Sequence, residues 1–348
     1  GSFSSVRCAY QKDTFEEKAI KMISKKRLFE KCRHNSPIYN QMLYGESTLG
    51  SLLTHPRIAK IKEVIQTDGQ IFQVMDLYEG DLRQVQFDTI NMKKILIIVD
   101  DILSAIEYLH MNHICHRDIK IENILIDSNG RAFLSDFSFL SFSLDTLHQI
   151  LGSVGTTAPE VFDGNYDGLK ADIWSFGILL YTLFAKQKPF PDTCDPRTVS
   201  LNDIDFSQIP LPIIKIISSC LLNEPQLRPT ATKIRRNRIF NCLSNRIVNE
   251  KVQLDKPIID PASKIIHRIA EIQHRDYDKI IQYISKEKAN EEKILYSLIQ
   301  EALVDHPRND VKMHSSESLN EITSCPIVVP RAVVHSRNKN RSRSLKLE

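Results

Sequence analysis

Two carboxylates and an amide in one short stretch, Asp118, Asn123 and Asp136, are the oxygen donors that a hard divalent cation accepts, with water and phosphate completing its shell. They lie in His113–Ser138, HICHRDIKIENILIDSNGRAFLSDFS, with Lys120 two positions beyond Asp118. Between Asn123 and Asp136 the chain reads as two short apolar strands around an Asn-Gly turn. Such a hairpin returns Asp136 to the side of Asn123.

Residues 116–123 resemble the catalytic loop of protein kinases, H-R-D-x-K-x-x-N, and Asp136-Phe137-Ser138 resembles their magnesium-binding D-F-G. Lys120 is the serine/threonine-kinase form of that loop. The resemblance implies that Asp118 receives or orients the proton of an attacking hydroxyl, that Lys120 neutralises the γ-phosphate of ATP, and that Asn123 and Asp136 hold Mg²⁺. His116 is expected to be structural. Ser138 departs from the family glycine and should narrow the backbone freedom at that point.

The elements that must position these groups can be sought along the chain. Gly1–Val6 resembles the second half of the glycine-rich loop, with Gly1 as its second glycine, Phe3 at the tip, Ser4 in place of the third glycine and Val6 over the adenine. The first strand and first glycine are missing, and without an initial methionine the start is expected to be truncated or processed. Lys18-Ala-Ile-Lys21 on a strand puts Ala19 and Lys21 on one face, Ala19 toward adenine and Lys21 toward the α- and β-phosphates. The partner of Lys21 should be Glu46, on a helix with Leu49, Leu52 and Leu53, nine residues before His55-Pro56. Glu30 is its rival, and extra residues are expected between 25 and 36. Met75 would be the gatekeeper, the backbone of Asp76 and Tyr78 would pair with adenine, and Asp81 would lie near the ribose, cap the helix turn at Leu82, or do both.

Asn91–Asn112 has helical apolar spacing, so His110 and Met111 are assigned packing alone. The activation segment would run over 136–160, closed by Ala158-Pro159-Glu160, with Glu160 paired to Arg228. Asp172 would brace the catalytic loop, Trp174 would fill the core below it, and Ser153 would contact Asp118 and Lys120. Arg117 precedes the catalytic acid, an arrangement that usually awaits a phosphate, yet Gln149 stands at the usual phosphothreonine position and Thr146 is the nearest substitute.

The implied fold is α+β: a bilobal protein kinase fold, with a β-rich N-lobe lacking its first strand and a helical C-lobe, followed by a small helical bundle. The implied domains are 1–243 catalytic, 244–261 linker, 262–305 a three-helix module resembling the ubiquitin-associated-like module of AMP-activated and microtubule-affinity-regulating kinases, and 306–348 a disordered basic tail. That module could dock on the catalytic domain. The tail holds six Arg or Lys against one acid over 331–348.

The whole resembles serine/threonine kinases of the calcium/calmodulin-dependent-like group. It implies protein substrates bearing Ser or Thr, with basic residues upstream as an option suggested by Asp81 and Glu122 and weakened by Thr182. A scaffold that binds nucleotide without efficient transfer is the alternative, and a small-molecule phosphotransferase ranks behind both.

Bulk properties agree with a globular protein. Across 348 residues, 42% apolar and 26% charged content provides a sizeable core, and a net charge of +3 gives no argument for nucleic acid. The seven cysteines form no C-x-x-C pair, which favours reduced thiols in a cytoplasmic or nuclear compartment. The longest apolar run, near 173–185, is too short to span a bilayer, which takes ~20 residues, and the first residues lack a secretory signal pattern.

Overall fold

The computed structural model describes residues 3–85, 91–153, 155–192, 194–249, 254, 256–305, 313–314 and 327–328. Gly1 lies outside the described residues, as does nearly all of the basic tail.

Alternating, β-branched stretches build an N-terminal sheet from β1 (Ser4–Gln11), β2 (Glu17–Ser24), β3 (Ile61–Gln66) and β4 (Gln70–Asp76). Their order is β3-β4-β2-β1, all antiparallel. Two-residue strands from the tail extend it, Met313–His314 parallel to β3 and Ile327–Val328 antiparallel to β1. Register places Val6 opposite Lys21, Ala19 opposite Met75 and Lys21 opposite Gln73. Directly opposed residues share a face, so these five form one patch.

The extra residues after β2 form α1 (Lys25–Lys31), which Ser24 caps by accepting from the Arg27 amide at 3.3 Å. Asn35 caps α2 (Ser36–Tyr44) in the same way. That helix does not stop at Tyr44. It widens into a π turn over Gly45–Leu49 and continues as α3 (Gly50–Leu52). A single π turn inside a helix commonly marks a functional position, and this one contains Glu46.

The larger, helical part is organised by α4 (Met92–Met111), capped by Asn91, and α5 (Gly168–Ala185), capped by Asp167, with α6 (Leu211–Cys220) and α7 (Ala231–Arg235) packed outside them. The expected hairpin is present as β7 (Ile124–Ile126) and β8 (Ala132–Leu134), with β5 (Gly80–Asp81) beside β7. A further pair, β6 (Ile114–Cys115) and β9 (Ser141–Phe142), ties the residues before the catalytic loop to those after Ser138. Glu160 and Arg228 make a two-pronged ion pair at 2.5 and 2.8 Å, with Arg228 over the Trp174 ring. Arg235 and Arg246 both reach Asp100, and Asn249 reaches the Ser104 carbonyl, so residues 246–249 are strapped along α4.

The three amphipathic patterns after residue 260 become α8 (Ser263–Gln273), α9 (Tyr277–Ile284) and α10 (Glu291–Asp305). Ile265, Ile266, Ile269, Ile280, Ile284 and Leu295 form their shared core. Lys293 is buried and donates to the carbonyls of Leu254 and Lys256. Tyr108 donates to Glu301 at 2.9 Å, linking α4 to α10. No helix among the described residues is long and apolar enough to cross a membrane.

His55 is buried beside α4, near Ser104, and accepts from the Arg57 amide. Burial lowers its pKa from 6.5 to about 4. Its neutral form is therefore the folded form, so stability is complete above pH 6.5 and falls as pH drops toward 4, where the unfolded chain gains a proton first. The loss should approach about 3 kcal/mol for this group. Thermal unfolding from pH 7 to pH 5 is expected to show a steeper drop in Tm for the unmodified chain than for His55→Gln.

Candidate active site

Lys21 reaches the site because β2 aims its side chain off the shared sheet face, where it is buried. Its ammonium lies 2.6 Å from Glu46 Oε1 and 3.2 Å from Asp136 Oδ1. Burial alone would lower its pKa, but Asp136 and Glu46 outweigh that and raise it, so the lysine is charged. Burial pushes the Glu46 carboxyl up, against the pull of Lys21. Burial would also raise Asp136, but the Lys21 charge and the Ser138 hydroxyl hold it well below the usual carboxylate range. Glu30, the rival partner, is exposed on α1.

Two residues complete this cluster. Gln73 donates from Nε2 to the Glu46 carbonyl at 2.5 Å and to Oε2 at 2.8 Å. The Ser138 hydroxyl contacts Glu46 Oε1 and, at 2.7 Å, Asp136 Oδ1. A hydroxyl carries one proton and can serve one carboxylate at a time, whereas the ammonium can serve both.

The second cluster sits on the catalytic loop. Lys120 Nζ donates to Asp118 Oδ2 at 2.7 Å and to Ser153 Oγ at 2.6 Å, and Ser153 Oγ donates to Asp118 Oδ1 at 2.6 Å. Asn123 Nδ2 donates to the Asp118 carbonyl at 2.8 Å and to Oδ2 at 2.9 Å. The hairpin brings the two clusters together: the Ser135 amide donates to the Asn123 carbonyl at 2.8 Å, leaving Asp136 one residue beyond that rung.

Backbone conformation here is held by force. Arg117 and Asp136 adopt φ of 64° and 66°, a left-handed region that costs a non-glycine residue free energy and recurs at functional sites. Asp172 sustains the first of these, accepting the amides of His116 at 2.8 Å and Arg117 at 2.7 Å. His110 contacts Asp172 at 3.0 Å, so it supports this brace as well as packing. His116 is buried, facing the Ser135 carbonyl at 3.1 Å. Arg117 donates to the Phe139 carbonyl at 2.7 Å, and the Tyr166 hydroxyl donates to the Gln149 carbonyl at 2.8 Å.

Val6, Ala19 and Met75 share the sheet face with Lys21, Val6 largely exposed. Asp76 ends β4 and pairs with Lys18 and Lys62; Tyr78 packs on Phe133. The Asp81 carboxylate accepts the Arg83 amide as a cap and also grips the Arg83 guanidinium at 2.9 and 2.7 Å. Phe3, expected at a loop tip, is instead packed in the core under Lys31, because the chain is already folded back toward Ser24 there. Gln73 was missed by sequence reasoning; a lone amide inside the apolar run Ile71-Phe72-Gln73-Val74-Met75 was its only signal.

A bilobal fold whose cleft holds a buried Lys–Glu pair over a braced acidic loop defines the protein kinase class. The protein kinase domain family model matches residues 1–240, and the chain belongs to that family, among the serine/threonine kinases related to SNF1 and the AMP-activated kinase. The SNF1-like protein kinase ssp2 of Schizosaccharomyces pombe is 29% identical over 316 residues, covering 86% of this chain and 52% of that protein. The carbon catabolite-derepressing protein kinase of Saccharomyces cerevisiae is 32% identical over 262 residues, 73% of this chain and 38% of its own length. The serine/threonine-protein kinase SIK2 of Gallus gallus is 36% identical over 200 residues, 55% of this chain and 24% of its own. The chain thus spans between a quarter and a half of the length of these curated relatives.

Replacing Ser138 by alanine removes a hydrogen bond to a buried carboxylate without freeing the backbone. Urea unfolding is expected to show a loss of about 1.5–3 kcal/mol, and Ser138→Gly a further 0.5–1 kcal/mol or so from backbone entropy.

Proposed function

We propose that this chain transfers the γ-phosphate of MgATP to Ser or Thr hydroxyls of protein substrates. The observation that carries the proposal is the continuity of the two clusters: Glu46, Lys21 and Asp136 on one side and Lys120, Asp118 and Asn123 on the other meet at one end of one hairpin. Phosphoryl transfer asks for alignment and charge neutralisation, and this is a set of fixed charges around a cleft.

In this reading Lys21 binds the α- and β-phosphates and Glu46 holds Lys21 in place. Asp118 takes the hydroxyl proton or orients it, in contact with Lys120 and Ser153. Lys120 meets the charge of the γ-phosphate. Val6, Ala19 and Met75 line the adenine pocket, with the backbone of Asp76 and Tyr78 beside it. Asp81 near the ribose is the least supported role, since Arg83 already occupies its carboxylate. The same pairing removes the main support for a preference for basic substrates.

Asp136 and Asn123 fit a Mg²⁺ ion. Asp136 is held ionised, and Asn123 spends its amide nitrogen on Asp118, which turns its oxygen away. Among the described residues no group of three or more His, Cys, Asp or Glu could hold a metal by itself. A hard divalent ion beside nucleotide draws most of its remaining ligands from phosphate and water. When bound, it would neutralise the developing charge on the β- and γ-oxygens.

Docking of the α8–α10 module on the catalytic part belongs to this proposal, supported by the Tyr108–Glu301 contact. Nucleotide binding without transfer is the second reading, favoured by Ser138 wedged between Glu46 and Asp136.

Transfer of labelled phosphate to a generic basic protein tests the reading. Asp118→Asn should lower the rate by at least ~100-fold with nucleotide affinity nearly unchanged. An unmodified chain that binds MgATP and transfers nothing would establish the second reading instead.

A further inference from the structure

Ser138 stands where a glycine would leave the acidic cluster without a side-chain donor, and its surroundings fix what that side chain can do. It is 2% exposed, so its hydroxyl finds its partners inside the protein. Its backbone is held from two sides. A side chain on Gly45 of the π turn would collide with the Phe137 carbonyl oxygen and lie 3.3 Å from that of Ser138, and the Phe137 ring stands edge-on to His116 at 6.0 Å. The hydroxyl is thereby kept 2.7 Å from Asp136 Oδ1 and in contact with Glu46 Oε1.

Two carboxylates face one hydroxyl proton, and their other donors decide which of them receives it. Glu46 is served without Ser138: Lys21 donates to Oε1 at 2.6 Å and Gln73 to Oε2 at 2.8 Å. At Asp136 the Lys21 contact is longer, 3.2 Å. The proton therefore goes to Asp136. Lys21 and Ser138 both meet the same oxygen of that residue, Oδ1, while its side chain keeps 35% of its surface open. Asp136 needs such a hold, because its φ of 66° is a left-handed conformation that the surrounding structure must maintain. A carboxylate tied by one long ammonium contact alone would be free to turn.

We propose, on the MgATP reading above, that Ser138 is a positioning residue for the divalent ion: its hydroxyl holds Asp136 by one oxygen so that the other is presented to the metal. Donors behind a ligating carboxylate set its orientation, and removing one typically lowers metal affinity by roughly 10–100-fold. The serine tightens the metal site, and because it also touches Glu46, the ion's seat and the Lys21–Glu46 pair share one fixed point.

Metal binding, not transfer, is the readout. Mn²⁺, as a probe for Mg²⁺, is titrated into the 348-residue chain loaded with an equimolar non-hydrolysable ATP analogue, with free Mn²⁺ counted by electron paramagnetic resonance and the analogue alone as the control. Ser138→Ala, with no donor, and Ser138→Cys, with a weak one, should each weaken Mn²⁺ binding by about tenfold. Analogue affinity measured in EDTA should stay within about twofold of the unmodified chain. A serine that served stability alone would lower Tm in both variants and leave Mn²⁺ affinity where it was. The cysteine keeps the size of the side chain, so it carries the test if the alanine variant fails to fold. Unchanged or tighter Mn²⁺ binding in a folded variant would overturn the proposal and leave the MgATP reading intact. An unmodified chain whose Mn²⁺ uptake equals that of the analogue alone would overturn both. The expected metal response in a chain that transfers no phosphate would uphold the proposal and contradict transfer.

Discussion

One ammonium group shared by two carboxylates governs this molecule. A lysine charge taken out of water costs several kcal/mol unless it is paired and hydrogen-bonded, and Lys21 meets both conditions through Glu46 and Asp136. The three residues come from β2, from the π turn and from the end of the β7–β8 hairpin. Their contact therefore ties the sheet to the helix and the sheet to the larger lobe. Gln73 and Ser138 then remove the remaining freedom of Glu46, one from the opposing strand and one from the chain just beyond Asp136.

A second constraint is backbone shape. Asp118 and Asp136 can face one cleft only because Arg117 and Asp136 adopt left-handed conformations, which the rest of the fold must maintain. Asp172, delivered by α5, does so by accepting two successive loop amides, and His110 from α4 stands behind it. The Glu160–Arg228 pair fixes the far end of the activation segment to the same helical body. The larger lobe thus serves as the rigid support of a loop that would not hold its shape alone.

Much of this was legible in the residues. Hairpin, brace and ion pairs follow from charged residues at fixed separations within apolar runs, and the three terminal helices follow from their periodicity. Local pattern could not supply what depends on tertiary contact. The π turn around Glu46 leaves no separate mark, because Gly45 and Gly50 read equally well as ordinary helix interruptions. Phe3 looked like a loop residue and is core, since its neighbour in space, Ser24, lies far along the chain. Asp81 had two readings, and Arg83 two positions later decided where its carboxylate goes. Gln73 needed the strand register before its partner could be named.

The central claim is that Lys21 and Glu46 act as one unit, and a double-mutant cycle measures this directly. Urea unfolding of Lys21→Met, Glu46→Gln and the double variant should give a coupling of at least about 1 kcal/mol, the double variant losing less than the sum of the two single losses. Single losses that add to within about 0.5 kcal/mol would show that the two side chains do not depend on each other, and would contradict the account.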